Sequence, residues 1–384
     1  MTFNRRYLIA AAALSALCAS GLAQAQNTIK IAGLYELSGA GASAGTMFKN
    51  GVDLAVKEIN AAGGILGKKV EHNVADTQSN PGVAKGLASK AVDDDVFAVF
   101  GPVFSGSIMV SMAETQRAEV INFTGGEAAA ITQKGNPYIF RTSFTQSTAM
   151  PKVARYIAKN LKAKTVAVLF VNNDFGKGGR DAITKALEAN GVKVVADIST
   201  DSGQVDFSAP VLKAKQANAD ALFVYTNEEE SARALRELRK QGYDKPIVGE
   251  TTLTGQKVIE LAGNAANGAT AHVGLTVDAP NPQMIKFKGN FFAATNTISD
   301  HNGIKGYTGV YILKAAIEKV GKVDRKAVAA ALHGLTIKAA KNPGVLYDVA
   351  IDANGDLDRE SFLVEVKDGR QVVKEVLPAL NASK

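Results

Sequence analysis

Val99-Phe100-Gly101-Pro102-Val103-Phe104-Ser105-Gly106-Ser107 is an apolar strand that runs into small hydroxyl and glycine residues, and Asn122-Phe123-Thr124-Gly125-Gly126-Glu127 follows the same plan. A helical pattern comes after each. Backbone N–H groups at a helix N-terminus favour an anion, and glycine lets a ligand approach the backbone closely. The two turns are therefore read as one wall of a ligand cleft. Taken singly, each is better read as an ordinary strand-to-helix turn, with Ser105 or Ser107 as an N-cap. The rest of the chain has to decide between these readings.

Upstream, Thr28 to Tyr35 alternates as a strand, and Leu37-Ser38-Gly39-Ala40-Gly41 breaks the pattern. Phe48, Val52, Ala55, Val56 and Ile59 then recur on one helical face, closed by Gly63-Gly64. Strands at Val70–Val74, Val96–Phe100 and Val120–Phe123 alternate with helices at Val83–Val92 and around Ile108, Met112 and Thr115. This alternation implies βαβ units and a parallel sheet, whose ligands bind beyond the carboxyl ends of the strands. Both opening turns lie at such ends.

Near residue 145 the alternation restarts. A helix marked by Met150, Val153, Ile157 and Leu161 leads to a buried strand, Thr165–Val171. Strands at Val192–Ala196, Ala221–Tyr225 and Ile247–Gly249 alternate with helices to make a second open α/β unit. Its strand ends present Phe175, Asn227 and Glu250-Thr251-Thr252. Helices are expected at Pro282–Thr295, Tyr307–Val320 and Arg325–Leu332, and β segments at Val345–Val349, Phe362–Val366 and Val372–Val376. No period of a solenoid and no low-complexity linker is present.

Arg5 and Arg6, an apolar run from Tyr7 to Leu17, and Ala23-Gln24-Ala25 form a secretory signal peptide, with cleavage expected after Ala25. The run is shorter than the roughly 20 apolar residues of a membrane span. The only cysteine, Cys18, lies inside this leader, so the mature chain is expected to have no thiol or disulfide. A lipoprotein signal fits Cys18 poorly, because Leu17 fills the position before it. Loss of Arg5 and Arg6 lowers the formal charge from +7 to +5, and no basic block supports nucleic-acid binding.

Little in the chain supports an enzyme or a cofactor protein. His72, His272, His301 and His333 are scattered without metal-pair spacing and are read as surface or turn histidines. No nucleophile elbow, Walker loop or dinucleotide fingerprint occurs. Ser105 has no assignable base. Asp93-Asp94-Asp95 lacks the alternating ligands of a calcium loop and is read as a solvated turn.

The chain resembles the type I periplasmic solute-binding proteins of ABC importers, in the leucine/isoleucine/valine-binding branch. The resemblance covers essentially the whole mature chain and rests on the order and spacing of several segments. These are Ile31 to Leu34 with Leu37-Ser38-Gly39, the helix ending Ala55 to Ile65, and Val99-Phe100-Gly101 with Ser105. Tyr138 to Thr142, Asp174-Phe175-Gly176 and Leu261 to Gly268 add to it. It implies an α/β fold of two open parallel-sheet lobes joined by three crossovers, which close over a ligand and dock on membrane permease subunits. Residues 26–144 with 275–355 are expected to form one lobe, and 145–274 with 356–384 the other. A periplasmic monomer without a cofactor is implied.

Carried over by position, Ser105 and Gly126 match the family's carboxylate and ammonium contacts, whereas Ala128 stands where a threonine is expected. Phe175 and Tyr307 match pocket aromatics. The family's ammonium-pairing acid aligns with Thr251, leaving Glu250 one position away. Phe104, Ser105, Gly126, Glu127, Ala128, Phe175, Asn227, Glu250, Thr251 and Tyr307 are thus the candidate ligand-binding residues. Glu127 is either a receptor for a cationic group or a solvated residue favouring the next helix. The expected ligand is a small carboxylate-bearing solute, an amino acid or relative. The alternatives are an aromatic acid or amide in the same fold, a sensor subunit for a membrane receptor, and an exported α/β hydrolase.

Overall fold

The computed structural model describes residues 28–379, and the leader expected at 1–25 lies outside them. The first sheet has the order β2-β1-β3-β4-β5 and is parallel throughout, with β1 Thr28–Tyr35, β2 Lys69–Asp76, β3 Ala98–Phe100, β4 Ile121–Thr124 and β5 Ile139–Arg141. Helices α1 Ala42–Ala61, α2 Pro81–Asp93 and α3 Ser105–Arg117 link its strands. The second lobe opens with α4 Gln146–Lys159, followed by β6 Thr165–Val171, α5 Asp174–Ala189, β7 Lys193–Thr200, α6 Ser208–Gln216, β8 Ala221–Tyr225, α7 Glu228–Lys240, β9 Ile247–Gly249, α8 Thr251–Thr254, α9 Gln256–Ala262 and β10 Thr270–Val273. The chain then returns to the first lobe with α10 Pro282–Thr295, α11 His301–Val320 and α12 Arg325–Leu332. A small antiparallel sheet follows, β11 Thr336–Ile337, β12 Val349–Ile351 and β13 Leu357–Asp358. Finally β14 Ser361–Lys367 and β15 Arg370–Leu377 complete the second sheet, of order β15-β14-β10-β9-β8-β6-β7.

The chain thus passes between lobes three times, at 142–145, 274–281 and Arg359–Glu360. The last passage falls later than position 356 because β13 still pairs with β12. The Val345–Val349 segment is not a strand. A 3₁₀ turn occupies Pro343–Val345, and pairing begins only at Val349. All three passages meet at Phe144. The Arg359 guanidinium lies 5.5 Å and the Lys152 ammonium 5.3 Å from its ring centroid. A Cβ on Gly274 would come within 2.2 Å of the same ring.

Burial of continuous apolar strands such as Val166–Val171 against helices on both faces explains why the parallel sheets form. The most consequential departure from the expected elements is α11. It starts at His301, six residues before Tyr307, because Asp300 caps it, its carboxylate accepting the Asn302 and Gly303 N–H groups. Gly303 and Gly306 weaken the helical signal, yet both are required by close packing, Gly306 on α1 and Gly303 against Ser299 and the Phe291 ring of α10. A Cβ at Gly306 would sit 2.1 Å from the Phe48 carbonyl oxygen, and one at Gly51 only 2.0 Å from that of Gly303. This extra turn carries three residues into the cleft.

Candidate functional site

Between the lobes lies a cavity of about 350 Å³ bordered by both opening turns, by the ends of β6 and β8, and by the first turns of α11. The lobes touch around it, through Tyr225–Glu127 and Asn302–Glu228. Its volume falls within the usual range for small-molecule sites.

The first wall is held from beneath. The buried Glu36 carboxylate accepts the N–H groups of Val103 and Phe104, each at 3.0 Å, which fixes the loop that starts α3. No side chain caps α3, so its first-turn N–H groups keep an unsatisfied positive end at the cavity. The Ser105 hydroxyl accepts the Ala128 N–H at 3.3 Å, and the buried Ser107 hydroxyl has no partner. Phe104, Ser105, Gly126 and Glu127 line the cavity. Ala128 does not, because its backbone is spent on Ser105 and on the Arg141 guanidinium behind the turn.

Glu127 is buried rather than solvated, and its cationic partner comes from the chain itself. Lys305 Nζ lies 3.2 Å from its Oε1, and the Tyr225 hydroxyl donates to Oε2 at 3.1 Å. Burial, then the nearby Glu250 charge, pushes the Glu127 carboxyl up to about 7, against the pull of Lys305.

The second wall begins with Phe175, stacked on Tyr225 at 4.2 Å between centroids. Asn227 precedes α7, its amide and N–H both donating to Glu230 Oε2 at 3.0 Å. Both residues line the cavity. Beside Asn227 stands Glu228, buried and facing the same space. Its Oε1 accepts the Asn302 amide at 3.1 Å, and His301 Nε2 lies 3.7 Å away. Burial, then the charges of Glu229 and Asp300, pushes the Glu228 carboxyl up to about 8. Burial holds His301 well below the usual imidazole range, so it supplies no charge.

Besides Ala128, three candidate residues lie elsewhere. Glu250 folds back to cap α8, accepting the Thr251 N–H and hydroxyl, and takes His272 Nδ1 at 3.0 Å, so it does not reach the main cavity. Thr251 borders only a minute void behind Glu127 and Lys305, while Thr252 reaches the cleft. Tyr307 is two residues beyond Lys305, about 200° further round α11. It turns into the first-lobe core, where its hydroxyl donates to Glu58 at 2.6 Å and its ring packs on Phe287 and Tyr311.

The histidine expectation also changes. His272 and His301 are buried rather than at the surface, and burial pushes His272 down to about 3. Glu228, His301, Asn302 and Lys305 are cleft residues that the sequence reading missed. An aspartate N-cap signal at Asp300 could have placed the helix start earlier. Among the described residues no group of His, Cys, Asp or Glu is arranged to hold a metal.

Two α/β lobes closing on a cleft with an anion-favouring wall define a class of solute-capturing proteins. The family model for periplasmic binding proteins matches residues 28–371. The chain is 30% identical over 363 residues to the leucine-, isoleucine-, valine-, threonine- and alanine-binding protein of Pseudomonas aeruginosa, covering 93% of this chain and 94% of that one. It also resembles the branched-chain amino acid transporter substrate-binding protein LivJ of Streptococcus pneumoniae, solved with isoleucine, at 26% identity and a TM-score of 0.82 over 91% of this chain and 99% of that one. A solute-binding protein of an ABC transporter from Rhodopseudomonas palustris, solved with 3,4-dihydroxybenzoic acid, shares the fold at 23% identity and a TM-score of 0.84, covering 92% and 98% of the two chains. The chain belongs to the periplasmic binding protein family, in its leucine/isoleucine/valine-binding branch, a class that binds solutes and is not enzymatic.

Proposed function

We propose that this chain is the periplasmic substrate-binding component of an ABC importer, capturing a small carboxylate-bearing solute, an amino acid or close relative, and presenting it to membrane permease subunits. The observation that carries the reading is the uncapped start of α3 with the unpaired Ser107 hydroxyl, both at the cavity. A carboxylate there meets free N–H groups and the positive end of the helix. Phe104 and the Phe175–Tyr225 stack offer the apolar body its surface. A ligand shifts the lobes toward closure only by binding the closed state more tightly, and a solute touching both walls does so. No helix among the described residues is long and apolar enough to cross a membrane.

A second reading is an aromatic acid without an ammonium group. It is favoured by the Lys305–Glu127 pair, which leaves Glu127 no free charge for a ligand cation. A thermal-shift screen of the mature protein over branched-chain amino acids, amides and aromatic acids separates the two. Amino acids should raise the melting temperature most. A rise with aromatic acids alone would replace the first reading by the second.

A further inference from the structure

We infer that Glu228 is the residue that receives the ligand's ammonium group, so that the cleft takes a zwitterion by its two poles, one on each lobe. The inference rests on the carboxylate-binding reading above and adds the second pole. Besides Glu36, which takes the Val103 and Phe104 N–H groups beneath the first wall, four buried glutamates lie in or beside the cleft, and the chain accounts for three of them. Glu127 has Lys305 and the Tyr225 hydroxyl. Glu230 takes both nitrogens of Asn227 and the Gly203 N–H. Glu250 takes the N–H and hydroxyl of Thr251 together with His272.

Glu228 differs from these three. It is 4% exposed and borders the cavity, and its partners are the neutral Asn302 amide and a neutral imidazole. Among the described residues no lysine or arginine forms an ion pair with it. A buried carboxylate without a cation is costly, and the remedy is a proton or a positively charged partner. The groups facing it are Glu229 on its own helix, Asp300 at the start of α11, and His301, Asn302 and Lys305 on α11. The one cation among them is already placed against Glu127. The raised carboxyl of Glu228 agrees with a group left waiting for a charge. An ammonium ion there replaces the proton on Glu228, which is released to solvent.

The geometry also explains closure. Glu228 belongs to the second lobe and the α3 N-terminus to the first, so a solute holding both poles ties the lobes together.

The test is calorimetric titration of the mature wild-type protein and of Glu228→Gln with leucine, isoleucine, phenylalanine and γ-aminobutyrate. Isocaproate, which keeps leucine's skeleton and carboxylate but lacks the ammonium, is the matched probe. Glutamine can still accept the Asn302 amide, and a single cooperative melting transition checks that the variant folds. Glu228→Gln should weaken the zwitterion that the wild type binds best by about thirtyfold or more, and isocaproate by no more than about threefold. Equal losses for both, or no loss for either, would overturn the assignment. A wild type that takes isocaproate or an aromatic acid and no zwitterion also overturns it while leaving the carboxylate wall standing. A wild type that takes no carboxylate at all overturns the cleft reading itself.

Discussion

Glu127 and Glu228 stand on opposite walls of one cleft, each buried and each pushed well above the ordinary carboxylate range. The first is matched by Lys305 at 3.2 Å, reaching in from α11 of the same lobe. The second has only neutral neighbours. At Glu127 the protein has completed its own electrostatics, whereas at Glu228 a charge from outside is needed. A buried acid with a resident lysine is part of the wall, whereas one without a partner is part of a site.

The largest effect should come from breaking the matched side. Lys305→Met strands Glu127 in the interior, and should lower unfolding stability by about 3 kcal/mol or more near pH 8. The loss should shrink near pH 6, where the Glu127 carboxyl takes up a proton. Urea titrations at the two pH values measure it. Adding Glu127→Gln should restore most of the loss, since replacing both members of a buried pair removes the uncompensated charge.

Next in size is the pH dependence of the ligand-free protein. Both carboxyls are raised in the folded state, to about 7 and about 8, from an ordinary 4.5. Between those values the folded chain holds more protons than the unfolded chain. The associated stability is therefore complete below about pH 4.5 and is lost as pH rises through about 7 to 8. The apo melting temperature should fall from about pH 5 to about pH 8, and Glu228→Gln should flatten the upper part of that fall. A curve that rises over this interval would show that the two acids do not dominate the pH response.

How much of this was legible in the sequence differs between the two walls. The first wall was readable because strand ends followed by Ser-Gly-Ser and Gly-Gly-Glu are local signals, and Phe104, Ser105, Gly126 and Glu127 all reach the cavity. Both lobes followed from the restarted alternation of strand and helix near residue 145. The second wall and α11 were harder. Glycines at 303 and 306 argue against a helix by propensity, and the reason for Gly306 is a contact with α1 some 250 residues earlier in the chain. Position matching drew Tyr307 into the pocket, but the true phase of α11 turns it to Glu58 in the core. The partner of Glu127 could not be read at all, because pairing Lys305 with it depends on tertiary packing across 178 positions.

A smaller effect probes the first wall alone. Ser105→Ala should weaken the carboxylate-bearing ligand by about tenfold without unfolding the protein, since it removes one hydroxyl beside the helix N-terminus. Unchanged affinity in a calorimetric titration would take Ser105 out of the site. The smallest effect is expected at the third passage between the lobes, where the Arg359 guanidinium is buried over Phe144 with no hydrogen-bond partner on any of its nitrogens. Arg359→Met should raise stability by about 1 kcal/mol, because an uncompensated buried charge is replaced by an apolar chain. A lower melting temperature would mean that the cation's place over the Phe144 ring outweighs its desolvation.

If the two walls hold opposite poles of one solute, binding drives a proton off Glu228, and that release can be measured. Calorimetric titration of the wild-type protein with its tightest-binding amino acid, near pH 7 in buffers of different ionisation enthalpy, gives the number of protons exchanged. Release of about one proton is expected as the ammonium displaces it from Glu228, and none from Glu228→Gln. A wild-type protein that binds the amino acid with no net proton release would contradict it.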